Sequence, residues 1–189
     1  MAHVMPIWDT CSTMAPMSLE ARGTALILQA WISPGVMAMT TRIRRWVETD
    51  TGHRVPNHKS KCRHMHGHRY RWEVELEGEV VSEMGVSDEG MLMDFSDVSE
   101  ILKKHIHDVV DHAFIVYEND TAALNALSLM DDGHRTLIVP FVPTAENLAR
   151  WAFEQVEPHI RSSYGNSLSL RAFHVRETPK SWASWSNSE

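Results

Sequence analysis

Residues 70–77 read Tyr70-Arg71-Trp72-Glu73-Val74-Glu75-Leu76-Glu77. Large apolar side chains alternate with charged ones throughout. Successive side chains of a strand point to opposite faces. The segment therefore places Tyr70, Trp72, Val74 and Leu76 on one face and Arg71, Glu73, Glu75 and Glu77 on the other. That pattern predicts a half-buried antiparallel strand over residues 70–80.

Upstream, residues 42–50 alternate less regularly, with Ile43 and Val47 as apolar anchors, and read as a neighbouring strand. Downstream, residues 85–90 form a turn region. Ser96 is expected to N-cap a helix carrying Val98, Ile101, Leu102, His105 and Val109, close to i, i+3, i+4 spacing. A short helix is predicted over 121–130 and a brief strand over 136–139. Thr144 caps a further helix with Ala145, Leu148, Ala149, Ala152 and Val156 on one face, which Pro158 should kink or end. Residues 168–175 read as the last strand. Long strands first, then grouped helices, predict an α+β chain with an antiparallel sheet, not a βαβ winding.

The chain has 189 residues, enough for one ordinary domain. Its net charge of −7 argues against general nucleic-acid binding. Nine Lys or Arg nevertheless fall between Arg42 and Arg71, against only Glu48 and Asp50. Such a basic segment suits a small anionic ligand, or is simply a solvated face. Cys11 and Cys62 are the two cysteines, which gives no disulfide framework and fits a reducing, cytoplasmic setting. The longest apolar run, Ala25-Leu26-Ile27-Leu28, is far short of the roughly 20 residues that span a bilayer. It also lacks the basic flank of a signal peptide. Residues 1–38 are methionine-rich and show no sustained period. They are expected to be a disordered or spurious extension ahead of a single folded domain over residues 39–189.

Five of the twelve histidines lie between His53 and His68. In Cys62-Arg63-His64-Met65-His66-Gly67-His68, a strand would present His66 and His68 side by side across Gly67. His53, on the neighbouring strand end, supplies a third nitrogen. Three His with an open fourth position is how zinc is held for Lewis-acid work. Cys62, His64, His66 and His68 also share parity. An unbroken strand would therefore allow a closed structural Cys-His3 site, and spacing alone leaves both readings open. Asp111-His112 follows the first helix. The carboxylate can orient the imidazole, and an imidazole near a thiol favours thiolate. As the bland alternative, the pair simply ends a helix.

Taken together, Gly52-His53-Arg54, Cys62-x-x-x-His66-Gly67-His68, Gly90-Met91-Leu92-Met93-Asp94-Phe95, Asp111-His112, Pro143-Thr144-Ala145-Glu146-Asn147-Leu148-Ala149 and Glu177-Thr178-Pro179 stand in one order. In them the chain resembles the 6-pyruvoyl-tetrahydropterin synthase family over roughly residues 41–182. Within that family it is most similar to the bacterial 6-carboxy-tetrahydropterin synthases of queuosine biosynthesis. The resemblance implies the T-fold, or tunnelling fold, an antiparallel sheet with helices on one face, assembled as a hexamer of two stacked trimers. It implies a lyase acting on 7,8-dihydroneopterin triphosphate, with acetaldehyde and triphosphate leaving a carboxylated pterin.

By motif, His53, His66 and His68 match zinc ligands and Cys62, Asp111 and His112 the catalytic triad. Glu177 matches the carboxylate that anchors the pterin, with Thr144 close by. The basic run holding Arg54, Lys59, Lys61 and Arg63 is a candidate triphosphate surface. Two alternatives remain: a 6-pyruvoyl product, formed without carbon–carbon cleavage, and a non-catalytic zinc module whose basic strand contacts RNA. Thr49 stands where the family usually has an aromatic, which predicts looser packing there. The stretch between His112 and Pro143 is long for the family.

Removing residues 1–38 is expected to leave the thermal midpoint and zinc content unchanged. A large drop in either, measured on the truncated protein, would show that the segment packs on the domain.

Overall fold

A computed structural model of the chain describes residues 40–130 and 134–187. The expectation for residues 1–38 lies outside the described residues. The elements in chain order are β1 (Thr41–His53), β2 (His66–Gly78), α1 (Phe95–Leu102), a π-helical turn (Lys103–His107), α2 (Asp108–Val110), β3 (Phe114–Tyr117), α3 (Thr121–Leu127), β4 (Thr136–Val139), α4 (Ala145–Tyr164), β5 (Leu168–Thr178) and β6 (Ser181–Ser186).

One six-stranded sheet runs in the order β4-β3-β1-β2-β5-β6. β1, β2, β5 and β6 are antiparallel neighbours, as the alternation implies. β3 and β4 add a parallel flank, so the sheet is mixed. Neither β3 nor β6 stands out in the sequence. β3 is four residues long and meets β1 only at Gly52 and His53. β6 (Ser-Trp-Ala-Ser-Trp-Ser) is mostly exposed and lacks an apolar face.

The face carrying Tyr70, Trp72, Val74 and Leu76 is fully buried. It packs with Leu148, Ala149, Ala152 and Val156 of α4 and with Val98, Leu102, Ile106 and Val110 of the first helical segment in one core. The four residues of that first segment are spaced four apart. At about 100° per residue, four steps of an α-helix overshoot a full turn by about 40°. The wider π turn at residues 103–107 absorbs the overshoot and keeps the row facing the sheet. The i, i+3, i+4 reading is corrected accordingly: Ile106 and Val110 are buried, whereas His105 and Val109 are half-exposed.

Caps and ends also differ in detail. Asp94, not Ser96, caps α1, its carboxylate accepting from the Ser96 N–H at 2.7 Å. A negative group there also suits the helix N-terminus. Thr144 caps α4 as expected. Pro158 does not end that helix. It lies on the exposed side, where water can reach the carbonyl its missing N–H leaves unpaired, while Val156 and Ile160 hold the helix to the core.

Thr49 is 2 % exposed, and its surroundings are tied together, not loosened. Trp72 Nε1–H donates to Thr49 Oγ1 at 2.8 Å, Thr49 and Thr51 share a hydrogen bond of 2.7 Å, and Thr51 Oγ1 donates to the Val110 carbonyl at 2.9 Å. The last bond uses the Thr51 proton, so Thr49 must donate to Thr51. The chain of bonds fastens the core of β1 and β2 to the helix end that leads into Asp111. Thr49→Val is expected to strand the indole N–H in the core and cost about 1–3 kcal/mol in urea denaturation.

Candidate metal centre and active site

The β1–β2 register pairs His53 with His66 and Thr51 with His68. All four side chains share the helix-facing side of the sheet. Nitrogens of His53, His66 and His68 lie within 4.8 Å of one another. His53 is 1 % exposed, and its Nδ1 is held by the Pro143 carbonyl at 2.8 Å. His66 Nδ1 is held by the His64 carbonyl, also at 2.8 Å. A carbonyl at Nδ1 fixes the tautomer with the proton there and leaves the Nε2 lone pair free for a metal. His53 Nε2 is buried with no aligned hydrogen-bond partner. An orphaned acceptor facing two further imidazoles fits a cation.

Burial, reinforced by the His66 ring, holds His53 below the ordinary imidazole value, against the Pro143 carbonyl and Glu177. Burial likewise lowers His68. Both are thus neutral at pH 7, the form a metal requires.

Glu177, at the end of β5, reaches into this cluster. Its Oε1 lies 3.4 Å from His53 Nε2 and 3.8 Å from His68 Nε2, and accepts from the Tyr70 hydroxyl at 3.3 Å. Burial and then the Glu177 charge push the Tyr70 phenol far above its usual value, and Cys62 lies close enough to add to the effect. Tyr70 therefore stays a hydrogen-bond donor. Sequence reading placed it only in the core, because its partner lies over a hundred residues away.

Cys62 is half-buried on a 3₁₀ turn, Lys61–Arg63, before β2 begins at His66. The shared parity of Cys62 with His66 and His68 thus has no strand to act through. Among the described residues, the group able to hold a metal contains the three histidines without the thiol. The geometry favours the open three-imidazole arrangement over the closed one.

Asp111 and His112 are joined to each other but not to Cys62. Asp111 Oδ2 accepts from His112 Nδ1 at 2.8 Å, and Oδ1 from the Asp50 N–H at 3.1 Å. Against the effect of burial, these bonds hold the Asp111 carboxyl below its usual range. His112 adopts φ 56°, a left-handed backbone rare for a side chain other than glycine, and its N–H is tied to the Asp50 carbonyl at 2.9 Å. The imidazole is 73 % exposed. It borders a depression lined by Asp50, Gly52, Gly67 and Arg69, whose parity puts them on the reverse face of the sheet from the three histidines, and also by Thr51 and His68 at the strand ends.

Thr144 uses its oxygen as the cap of α4, accepting from the Asn147 N–H at 3.4 Å. The cleft beside Glu177 is lined by Thr178, not by Thr144. Among the described residues, no helix is long and apolar enough to cross a membrane.

A family model described as 6-pyruvoyl tetrahydropterin synthase matches residues 42–188. The 6-carboxy-5,6,7,8-tetrahydropterin synthase of Haemophilus influenzae is 32% identical over 145 residues, 76% of this chain and 97% of its own length. That of Rickettsia felis is 28% identical over 71% of this chain and 92% of its own. Among solved structures, an uncharacterized protein of Wolinella succinogenes aligns with TM-score 0.63 and 26% identity, covering 80% of this chain and 100% of its own. Caenorhabditis elegans 6-pyruvoyl tetrahydropterin synthase aligns with TM-score 0.53 and 25% identity, covering 79% and 97%. The T-fold is therefore the fold of this chain.

His66→Ala is expected to abolish stoichiometric zinc binding. In a cobalt-substituted sample, a strong thiolate charge-transfer band lost in Cys62→Ala would instead establish the closed site. The metal-free protein should also lose stability as pH falls. Unfolded imidazoles take up protons near pH 6.5, whereas His53 and His68 resist protonation when folded. Their contribution is thus present above about pH 6.5 and declines below it. Denaturant titrations of the metal-free chain at pH 7.5 and 5.5 measure the difference.

Proposed function

The chain belongs to the 6-pyruvoyl tetrahydropterin synthase family, and on that premise we propose that it is a zinc-dependent carbon–carbon lyase. The proposed substrate is 7,8-dihydroneopterin triphosphate. The products are 6-carboxy-5,6,7,8-tetrahydropterin, acetaldehyde and triphosphate, in cytoplasmic queuosine and 7-deazapurine biosynthesis. The observation that carries this reading is the triad of convergent imidazoles with two Nδ1 atoms tied to carbonyls, beside a carboxylate steadied by Tyr70. The names of the bacterial relatives support the 6-carboxy product over the 6-pyruvoyl one.

His53, His66 and His68 would hold the zinc. Bound there, it supplies Lewis acidity toward the oxygens of the substrate side chain. Glu177 accepts hydrogen bonds from the guanidine-like edge of the pterin, and Tyr70 keeps that carboxylate pointed into the site. Thr144, outside the cleft beside Glu177 and with its oxygen occupied by the helix cap, is assigned to the ring only through its O–H. Cys62 acts as thiolate base on the side-chain carbon, and His112, oriented by Asp111, moves the proton at the neighbouring oxygen.

Cys62 lies near Tyr70, and the Asp111–His112 pair, which makes no hydrogen bond to it, borders a depression that opens largely on the reverse face and reaches His68. This separation supports a site shared between subunits, one copy lending Asp111 and His112 to the next. The sheet edges support it too. β1 is paired on its outer side only at Gly52 and His53, and β6 is the last strand of the sheet. Joining such edges between copies closes the sheet into a barrel, and stacking two three-copy barrels gives the proposed hexamer.

The decisive test is incubation of zinc-loaded protein with dihydroneopterin triphosphate, with products read by mass spectrometry. Release of acetaldehyde supports the lyase; a pyruvoyl pterin without acetaldehyde assigns the triphosphate-elimination reaction instead. Cys62→Ala should keep fold, zinc and pterin binding while losing about 10²–10⁴-fold in turnover, the usual worth of general-base catalysis. Mixing Cys62→Ala with His112→Ala subunits should restore part of the activity. No recovery on reassembly would place all three groups in one subunit.

A further inference from the structure

The β2–β5 ladder ends at the pair Arg71 and Arg176. Beyond it β5 continues through Glu177 and turns into β6, so residues 66–70 of β2 have no β5 partner. The gap forms a cleft of about 470 Å³. His68 and Glu177 line it from the metal side. Arg69, Arg71 and Arg176 line it from the reverse face together with Glu48, and Gly67 brings no side chain to fill it. A molecule seated on Glu177 can therefore extend past the end of the ladder onto three guanidinium groups.

These arginines are incompletely matched. Arg69 forms a two-pronged pair with Asp50 at 3.0 Å. Arg71 bonds Glu73 through one terminal nitrogen and lies over the Trp46 ring, but its Nε is buried without a hydrogen-bond partner. Arg176 lies over the Trp182 ring, 5.5 Å from its centroid, and no carboxylate holds it among the described residues. Like charges directly opposite on neighbouring strands destabilise a sheet, and Arg71 faces Arg176 directly. Glu48, opposite Arg71 on the other side, offsets part of that repulsion. The remaining donors are planar forks suited to phosphate oxygens.

The basic run singled out in the sequence is placed differently. Arg54 is paired with Asp120 at 2.7 Å, and neither it nor Lys59, Lys61 or Arg63 lines this cleft.

We infer that Arg71 and Arg176, with Arg69 at the margin, form the subsite for the polyphosphate tail of the substrate whose ring rests on Glu177. The inference rests on the proposed substrate class. It makes Arg71 and Arg176 determinants of specificity for a phosphorylated over an unphosphorylated pterin.

The test uses the zinc-loaded full chain and inorganic tripolyphosphate, followed by calorimetry. Arg176→Ala and Arg71→Ala should each weaken tripolyphosphate binding by about tenfold or more, the loss expected for a charge-assisted contact. Arg176→Lys should recover part of it. In kinetics the same variants should raise KM for the pterin triphosphate by a similar factor, while binding of unphosphorylated 7,8-dihydroneopterin stays unchanged. Thermal midpoints identify any variant that fails to fold, and the lysine variant then carries the comparison.

Three results would overturn the inference: no tripolyphosphate binding by the wild type, equal binding by the arginine variants, or loss in Lys59→Ala instead. If the wild type does not turn over the pterin triphosphate, the lyase reading fails. The arginine subsite is then judged by tripolyphosphate binding alone.

Discussion

Everything in this chain that bears on chemistry depends on the register between β1 and β2. Thirteen residue pairs run from Thr41 and Gly78 to His53 and His66. A slip of one residue would turn every side chain of one strand to the other face. His66 and His68 would leave His53, and Tyr70 and Trp72 would leave the core. The same apolar alternation that drives the sheet onto α4 therefore also brings three imidazoles together. Core and candidate metal centre are one continuous face, with Thr49 and Thr51 hydrogen-bonded at the join.

That continuity explains the electrostatics of the centre. The site inherits burial from the core, and burial disfavours charged imidazole. Backbone carbonyls at His53 and His66 then select the nitrogen left for a metal. Glu177 enters from a third strand and is steadied by Tyr70, itself kept protonated by the same burial. The reverse face works differently. Its charges pair across strands, Arg69 with Asp50 in the open and Arg44 with Glu73 and the buried Glu75. The exposed Arg69–Asp50 pair contributes little stability.

Much of this was legible in the sequence. Residues 70–77 specify a buried and a charged face by period alone, and Gly67 between His66 and His68 marks the candidate ligand pair. Asp111-His112 and the Thr144 cap are local features, and locally they form as read. The motifs in their order were also sufficient for the family, because ordered spacing constrains a fold more than any single motif does.

Tertiary structure decided what depends on partners distant in sequence. The parallel flank of β3 and β4 arises from two contacts at Gly52 and His53 that no local pattern announces. The π turn re-phases the first helix because the sheet requires residues four apart to face it. Cys62 leaves the parity of His66 and His68 because the chain turns before the strand begins. Arg54 is drawn to Asp120, while Arg71 and Arg176, 105 positions apart, are set opposite each other by the β2–β5 register. Periodicity and motif order therefore determined the long strands β1, β2 and β5, the candidate ligand histidines and the family. Which groups share a face, a cleft or a charge was decided only when the strands paired, since a hydrogen-bonded register joins residues that the sequence keeps apart.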